Sequence, residues 1–142
     1  KGHYEQSWLI HSLEQDVIEA NLLSAKTQKS LEINEARLKA NFSTFQHLSK
    51  TFACDQLSRS DIDGTNGFVS LYGTLPQGWP GGWKAVDNSY ISITSVSDWK
   101  AFYGSMFAQG NANFLHAQAL KTGLEQATST QEVQAITWDM EV

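Results

Sequence analysis

The first candidate for chemistry is an acidic, glycine-containing segment over residues 61–67, with the sequence Asp-Ile-Asp-Gly-Thr-Asn-Gly. A helix–loop–helix calcium loop needs oxygen ligands at positions 1, 3 and 5, glycine at position 6 and an acidic residue at position 12. Counted from Asp61, position 6 is Asn66 and position 12 is Tyr72. Because neither residue suits its position, the segment is predicted to form a turn or a helix cap rather than a metal site.

Histidine and cysteine supply no recognisable catalytic or metal-binding set. The chain has four histidines, which are His3, His11, His47 and His116. No two of them are three or four residues apart, so a two-histidine metal face on one helix is excluded. The single cysteine, Cys54, precludes an internal disulfide, and the adjacent Asp55 disfavours a reactive thiolate. With no Gly-x-Ser-x-Gly elbow and no phosphate-binding glycine loop either, we expect no enzyme, no cofactor and no metal.

Two tryptophans offer a possible binding surface. Trp79 and Trp83 flank a Pro-Gly-Gly loop. Exposed rings on a loop can stack on sugars, which would make these two residues glycan contacts. Alternatively the rings cap a small core, because burying one aromatic side chain removes about 150–250 Å² from water. The core interpretation is favoured, and glycan contact by Trp79 and Trp83 remains the alternative.

Length and charge restrict the class of protein. The chain has 142 residues and a net charge of −5, with 41% hydrophobic and 18% charged residues. That size suits one domain, or a small domain with an appended helix. The acidic balance argues against nonspecific binding to nucleic acid or to an anionic membrane. No apolar run approaches the roughly 20 residues that span a bilayer, and no signal peptide is recognisable.

The first third of the chain is predicted to form a long helix. No glycine occurs between Gly2 and Gly64, and no proline occurs before Pro76. Strong helix formers such as leucine, glutamate, alanine and lysine recur throughout this segment. We therefore predict a helix over residues 1–50 that serves oligomerisation or docking. About 45 helical residues would extend roughly 65 Å, which is longer than a domain of this size needs.

A heptad repeat follows this helix when Ile10 is placed at position a. The predicted a positions are Ile10, Val17, Ser24, Leu31, Leu38, Phe45 and Phe52. The predicted d positions are Leu13, Ala20, Thr27, Asn34, Asn41 and Leu48. Nine of these thirteen positions are apolar, a pattern typical of a coiled coil. Asn34 and Asn41 would then pair across the seam and select register and chain number, with three chains preferred.

The alternative is an amphipathic helix that packs on its own domain. Leu22, Leu23 and Ile33 lie off the heptad seam and favour this interpretation. Both possibilities stay open from the sequence.

The second part, residues 51–142, is predicted to be a small α+β domain with one β-hairpin and several helices. Residues 58–75 are ambiguous, because Gly64, Gly67 and Gly73 weaken an otherwise helical apolar face. Strands are predicted over 83–86 and 90–94. A helix is expected to begin near a capping box at 95–98 and to end at Gly110, a second to begin at Asn111 or Asn113, and a third to run over 129–138.

The order of short motifs over residues 45–138 resembles a domain of unknown function found at the C-terminal end of tailed-phage proteins encoded near tail-fibre or tail-assembly genes. The matching pieces are Phe52, Asp55–Ile62, Trp79-Pro80, Trp83, Asp87-Asn88, Ile91–Thr94, Asp98, His116, Ala119–Lys121, and Ala127 leading to Glu132. The resemblance implies no catalytic residues.

What the resemblance implies is a structural component of the virion tail, made in the bacterial cytoplasm, with other tail proteins as partners. Together with the heptad, it leads us to expect a homo-oligomer. The expected assembly residues are Ile10, Leu13, Val17, Leu31, Asn34, Leu38, Asn41, Phe45 and Leu48. A glycan-binding receptor module and a tail-fibre assembly chaperone absent from the virion are the alternatives.

Overall fold

The computed structural model describes residues 2–142, and the side chains of residues 6–142. Within these residues the elements are, in order, four helices and four short strands: α1 (Gly2–Asn41), β1 (Thr44–His47), β2 (Lys50–Ala53), α2 (Gln56–Tyr72), β3 (Gly82–Lys84), β4 (Tyr90–Ser92), α3 (Val96–Gln126) and α4 (Thr130–Ala135). This confirms the α+β class with a long N-terminal helix. Among the described residues, no helix combines the length and apolar character needed to cross a bilayer.

The end of α1 differs from the prediction. The helix stops at Asn41 instead of continuing to residue 50, and the chain turns into an antiparallel hairpin of β1 and β2. Leu48 and Ser49 form its two-residue turn with φ angles of 48° and 64°. Such turns usually carry asparagine or glycine, so the sequence contained no signal for this one. The predicted single hairpin is therefore corrected to two.

The second hairpin lies where the sequence predicted it. β3 and β4 pair antiparallel with Trp83 opposite Ile91, and both strands are shorter than expected. Gly82 is required at the start of β3, because a Cβ atom there would lie 2.1 Å from the carbonyl oxygen of Ile91. Asn88, with a φ of 68°, forms the turn.

The ambiguous segment before this hairpin is helix α2. The Asp55 side chain accepts a hydrogen bond from the Ser58 amide at 2.8 Å, which caps the helix N-terminus. Gly73, with a φ of 69°, ends the helix. Gly64 and Gly67 lie inside it, so they weaken α2 without breaking it.

Helix α3 corrects a second expectation. It continues for 31 residues through Gly110, where two separate helices had been predicted. A glycine inside a helix costs only about 1 kcal/mol relative to alanine. Met106 before it and Ala117 after it are both buried, and their packing offsets that cost.

At the predicted capping boxes, Ser95 Oγ and Ser129 Oγ each accept a hydrogen bond from the amide three residues later, which confirms where α3 and α4 begin. The Asp98 and Glu132 carboxylates accept from the amides of Thr94 and Thr128, one residue before each serine. Helix α4 ends at Ala135.

The chain divides into two compact units. Unit 1 comprises Lys1–Ala36 with His116–Val142, and unit 2 comprises Arg37–Leu115. The sequence had suggested one boundary near residue 50, whereas α1 and α3 each contribute residues to both units.

Each unit has its own core. In unit 2, the two hairpins together with α2 and α3 surround a core that we call the aromatic cluster after its four aromatic members. These are Phe45, Phe52, Trp99 and Phe102, and the other members are Cys54, Ile62, Val69, Ala85, Ile91, Ile93 and Met106. The buried core of unit 1 consists of Ile33, Ala117, Leu120, Leu124, Ala127, Val133 and Ile136.

Candidate assembly surface

Part of α1 packs within unit 1, on the side opposite the predicted seam. Leu22, Ala25 and Ile33 contact the unit 1 core. Ile33 is only 3% exposed, whereas Leu31 on the predicted seam is 52% exposed. Two residues along a helix correspond to about 200° around its axis. The buried face of this part of α1 is therefore nearly opposite the heptad seam.

Two lysines add polar contacts between α1 and α3. Lys26 Nζ donates a hydrogen bond to the carbonyl oxygen of Glu125 at 3.0 Å, and Lys121 Nζ donates to Asn34 Oδ1 at 2.6 Å. The alternative of a helix packed on its own domain is thus confirmed for this stretch. Leu22 and Ile33 behave as that alternative expected, but Leu23 is 68% exposed.

The N-terminal half of α1 has different surroundings. From Gln6 to Asn21 every side chain is exposed except Ser12, which is half-buried. We call the apolar side chains Ile10, Leu13, Val17 and Ile18 on this stretch the α1 stripe; they are 57%, 55%, 58% and 59% exposed. Together with Glu14 they line a shallow open groove of about 460 Å³. Contiguous exposed apolar surface of this kind marks interaction sites in soluble proteins.

The remaining predicted assembly residues fall into two groups. Leu38 remains on α1 and is 58% exposed. Phe45 and Leu48 are not on the helix at all: Phe45 is 1% exposed in the unit 2 core, and Leu48 lies in the β1–β2 turn. The expectation that they extend the seam is therefore wrong, because the hairpin begins before them.

The two asparagines of the predicted seam bond within their own chain. Asn34 accepts the Lys121 hydrogen bond described above. Asn41 Oδ1 accepts a hydrogen bond from Asn113 Nδ2 at 2.9 Å, and the Asn41 carbonyl oxygen accepts one from Arg59 Nη1 at 3.3 Å. These contacts are contrary to the pairing across a seam that the heptad predicted.

Trp79 and Trp83 belong to the aromatic cluster of unit 2. Both are half-buried and pack against its core. Their ring centroids are 6.2 Å apart, and each lies within 6 Å of the Trp99 ring. Trp79 Nε1 donates to the Ile93 carbonyl oxygen at 2.8 Å. These contacts favour the core-capping interpretation, and glycan contact stays a prediction.

The acidic segment 61–67 lies in the interior of α2 rather than in the predicted turn or cap. Two of its polar side chains accept hydrogen bonds from α3: Asp63 Oδ1 accepts from the Tyr103 hydroxyl at 3.2 Å, and Asn66 Oδ1 accepts from Trp99 Nε1 at 3.2 Å. Across residues 6–142, no three histidine, cysteine or acidic side chains are placed to hold a metal.

Cys54, His47 and His116 are wholly or partly buried among neighbouring side chains. Cys54 is 3% exposed, and burial raises the pKa of its thiol. His47 Nδ1 lies 2.7 Å from Ser105 Oγ, and burial lowers the pKa of the imidazole. His116 bonds to the Trp138 carbonyl oxygen, His11 is exposed on α1, and His3 lies outside the described side chains.

Comparison with known proteins places the chain in a family without assigning it an activity. No curated protein and no solved structure matches it. A family model described as a domain of unknown function matches residues 24–137. The match begins inside α1, and the α1 stripe lies before it. The chain therefore belongs to the DUF4376 family.

Proposed function

We propose that this protein is a structural component of a phage tail, in a fibre, baseplate or tail-tip adaptor, and that it assembles through the N-terminal half of α1. The tail assignment rests on the motif order over residues 45–138. The mode of assembly rests on one observation, the exposed α1 stripe, which a single chain leaves in water.

The stripe also has the character of a seam. The heptad positions Ile10, Leu13, Val17 and Ala20 are apolar without interruption. The polar seam positions Ser24, Thr27, Asn34 and Asn41 all follow Leu22, the residue at which α1 begins to pack within unit 1. In the proposed assembly the seam is therefore confined to the segment before Leu22.

The occupant of the stripe is another copy of the same helix, with three chains as the preferred number. A seam of this length spans only about 24 Å over 16 residues. Since stable coiled coils usually extend over three or more heptads, we expect association that depends on protein concentration rather than a permanent oligomer.

Sedimentation equilibrium of the full chain tests the proposal. The double variant L13E/V17E places two carboxylates in the seam, and desolvating them opposes association. The matched control L57E/L71E makes the same change in charge on α2, where these leucines are 73% and 75% exposed. Circular dichroism checks that all three proteins keep their helices.

For the wild-type chain and the control, we expect the average molecular mass to rise above the monomer mass of 15.8 kDa as protein concentration increases. For L13E/V17E, we expect the mass to stay at the monomer value. A wild-type chain that remains monomeric throughout the micromolar range would overturn the assembly proposal. An equal loss of association in both double variants would assign the effect to charge rather than to the stripe.

Mass spectrometry of purified virions tests the tail role separately. A structural component is retained in the particle, whereas a chaperone for fibre folding is required during assembly and is absent afterwards. Detection in stoichiometric amount supports the proposal, and absence combined with defective fibres favours the chaperone.

A further inference from the structure

Both arginines of the chain line one pocket in unit 2. Arg37 and Arg59 are its only arginines. They are 22 residues apart in sequence, on α1 and α2, and the pocket that they share has a volume of about 250 Å³. Its other lining residues are Asn41, Phe107, Gly110, Asn111 and Phe114. Neither arginine was singled out by the sequence, because their convergence depends on how three helices meet.

Arg37 lacks the acidic partner that a half-buried guanidinium usually has. Its charged group lies over the Phe114 ring, 4.9 Å from the centroid. Its Nε is buried and finds no hydrogen-bond partner in the described part of the chain. Within that part, no carboxylate lies within ion-pair distance of Arg37. The aromatic ring holds the side chain in place while its charge remains unneutralised.

Arg59 is held by contacts within unit 2. Its Nη1 donates to the Asn41 carbonyl oxygen at 3.3 Å, and its Nε lies 3.8 Å from Asp63 Oδ2. Asp63 does not line the pocket, and the described lining residues include no acidic side chain. The pocket thus presents two cationic groups, although the whole chain has a net charge of −5.

The remaining walls are amide and aromatic. Asn111 is exposed and can donate hydrogen bonds from its side-chain amide. Phe107 is 65% exposed and Phe114 is 39% exposed, so one wall offers apolar surface beside the guanidinium groups. Guanidinium groups match the geometry of carboxylate and phosphate oxygens.

We propose that this pocket binds a small oxyanion, a carboxylate or phosphate group whose oxygens are bound by Arg37 and Arg59. The volume suits such a group with a compact body, since pockets for drug-sized ligands start at about 300 Å³. The proposal is independent of the assembly role of the α1 stripe.

NMR of the ¹⁵N-labelled full chain provides the test, because two arginines give only two Nε–Hε signals. The probes are sodium phosphate, sodium acetate and sodium benzoate, each titrated at constant ionic strength with sodium chloride as the reference. We expect a saturable shift of the Arg37 signal with at least one probe. Saturation by phosphate alone assigns a phosphate ligand, and saturation by the carboxylates, strongest with benzoate, assigns a carboxylate on a planar body.

Variants connect the binding to the pocket. Arg37→Lys retains the charge but loses the planar fork, and we expect roughly tenfold weaker binding, as for loss of a charge-assisted hydrogen bond. Asn111→Asp adds a negative charge at an exposed position that can fold without strain, and we expect it to abolish saturation. Lys100→Gln removes an exposed cation on α3 outside the pocket and is expected to leave binding unchanged.

Three results would overturn the proposal: shifts that rise linearly with every probe, an unchanged affinity in Asn111→Asp, or an equal loss in Lys100→Gln. If Arg37→Lys fails to fold, as judged by its thermal melting, Asn111→Asp decides the question alone.

Discussion

The aromatic core of unit 2 and the N-terminal half of α1 are both rich in large apolar side chains, yet their surroundings are opposite. Phe52, Trp99 and Phe102 are each fully buried. Ile10 and Val17 on the α1 stripe are each more than half exposed. The difference lies in the covering elements, because two hairpins and two helices surround the aromatic core and no other described element covers the stripe.

This comparison teaches that a helical apolar pattern predicts a helix but not its partner. In α1 itself the same helix buries Ile33 and exposes Leu31. The strongest heptad signal belongs to the exposed side, and the side that packs within the chain carries fewer large apolar residues. Periodicity shows that a face is apolar, whereas the rest of the fold determines what contacts it.

The largest effect should come from opening a cavity in the aromatic core. Phe102 contacts the rings of Phe45, Phe52 and Trp99 at centroid distances of 5.0–5.6 Å. We expect Phe102→Ala to lower the free energy of unfolding by about 3–5 kcal/mol. Urea unfolding followed by tryptophan fluorescence measures it.

Leu13→Ala provides the matched truncation on the stripe. At low protein concentration, where the chain is monomeric, it should change the free energy of unfolding by less than about 0.5 kcal/mol. Similar losses in both variants would show that the stripe is covered within the chain.

The two sides of α1 give the next largest difference. Ile33→Ala should destabilise the protein by about 2–5 kcal/mol, because it opens a cavity in the unit 1 core. Leu31→Ala, two residues earlier, should cost less than about 0.5 kcal/mol. Urea unfolding followed by circular dichroism at 222 nm compares them, and a reversed order would mean that the packed side of α1 has been assigned incorrectly.

A smaller effect of opposite sign is expected on the open side of α2. A Cβ atom at Gly64 would meet nothing within 4 Å. Gly64→Ala should therefore stabilise the protein by about 0.5–1 kcal/mol, because alanine loses less backbone entropy on folding. A higher melting temperature in differential scanning calorimetry would show it, and a lower one would indicate that this part of α2 is covered or not helical.

The smallest effect concerns pH. Burial lowers the pKa of His47 from its ordinary value of 6.5, so the unfolded chain binds a proton more readily than the folded one. The contribution of neutral His47 to the free energy of unfolding is therefore complete above pH 6.5. It decreases as the pH falls from there toward the lower pKa of the folded state. Melting temperatures between pH 7.5 and 5.5 should fall less in His47→Gln than in the wild-type chain. His11→Gln, on the exposed surface of α1, is the control and should retain the wild-type decrease.

Local signals were sufficient for much of the fold. The absence of glycine and proline predicted α1, and the sequences at 95–98 and 129–132 predicted the starts of two helices. Glycine is a weaker helix breaker in this chain than the sequence predicts, since α2 continues through Gly64 and Gly67 and α3 continues through Gly110. The β1–β2 hairpin escaped prediction because Leu48 adopts a left-handed conformation without a residue type that favours it.

Of the two candidate sites, one could be predicted from the sequence and the other could not. The α1 stripe was visible as a heptad, because neighbouring residues on one helix are placed by helical geometry alone. The arginine pocket was not, because Arg37 and Arg59 come together only where α1, α2 and α3 meet.

The amino-acid sequence by itself determined that α1 is helical, where α3 and α4 begin, the second hairpin and the apolar stripe, because each depends on interactions between residues close along the chain. Tertiary structure decided where α1 ends, which of its sides is buried and which cations share a pocket. Those outcomes depend on contacts between residues that are far apart in the sequence. The entropy cost of closing the intervening loops and the burial gained by the contacts leave no pattern in neighbouring residues.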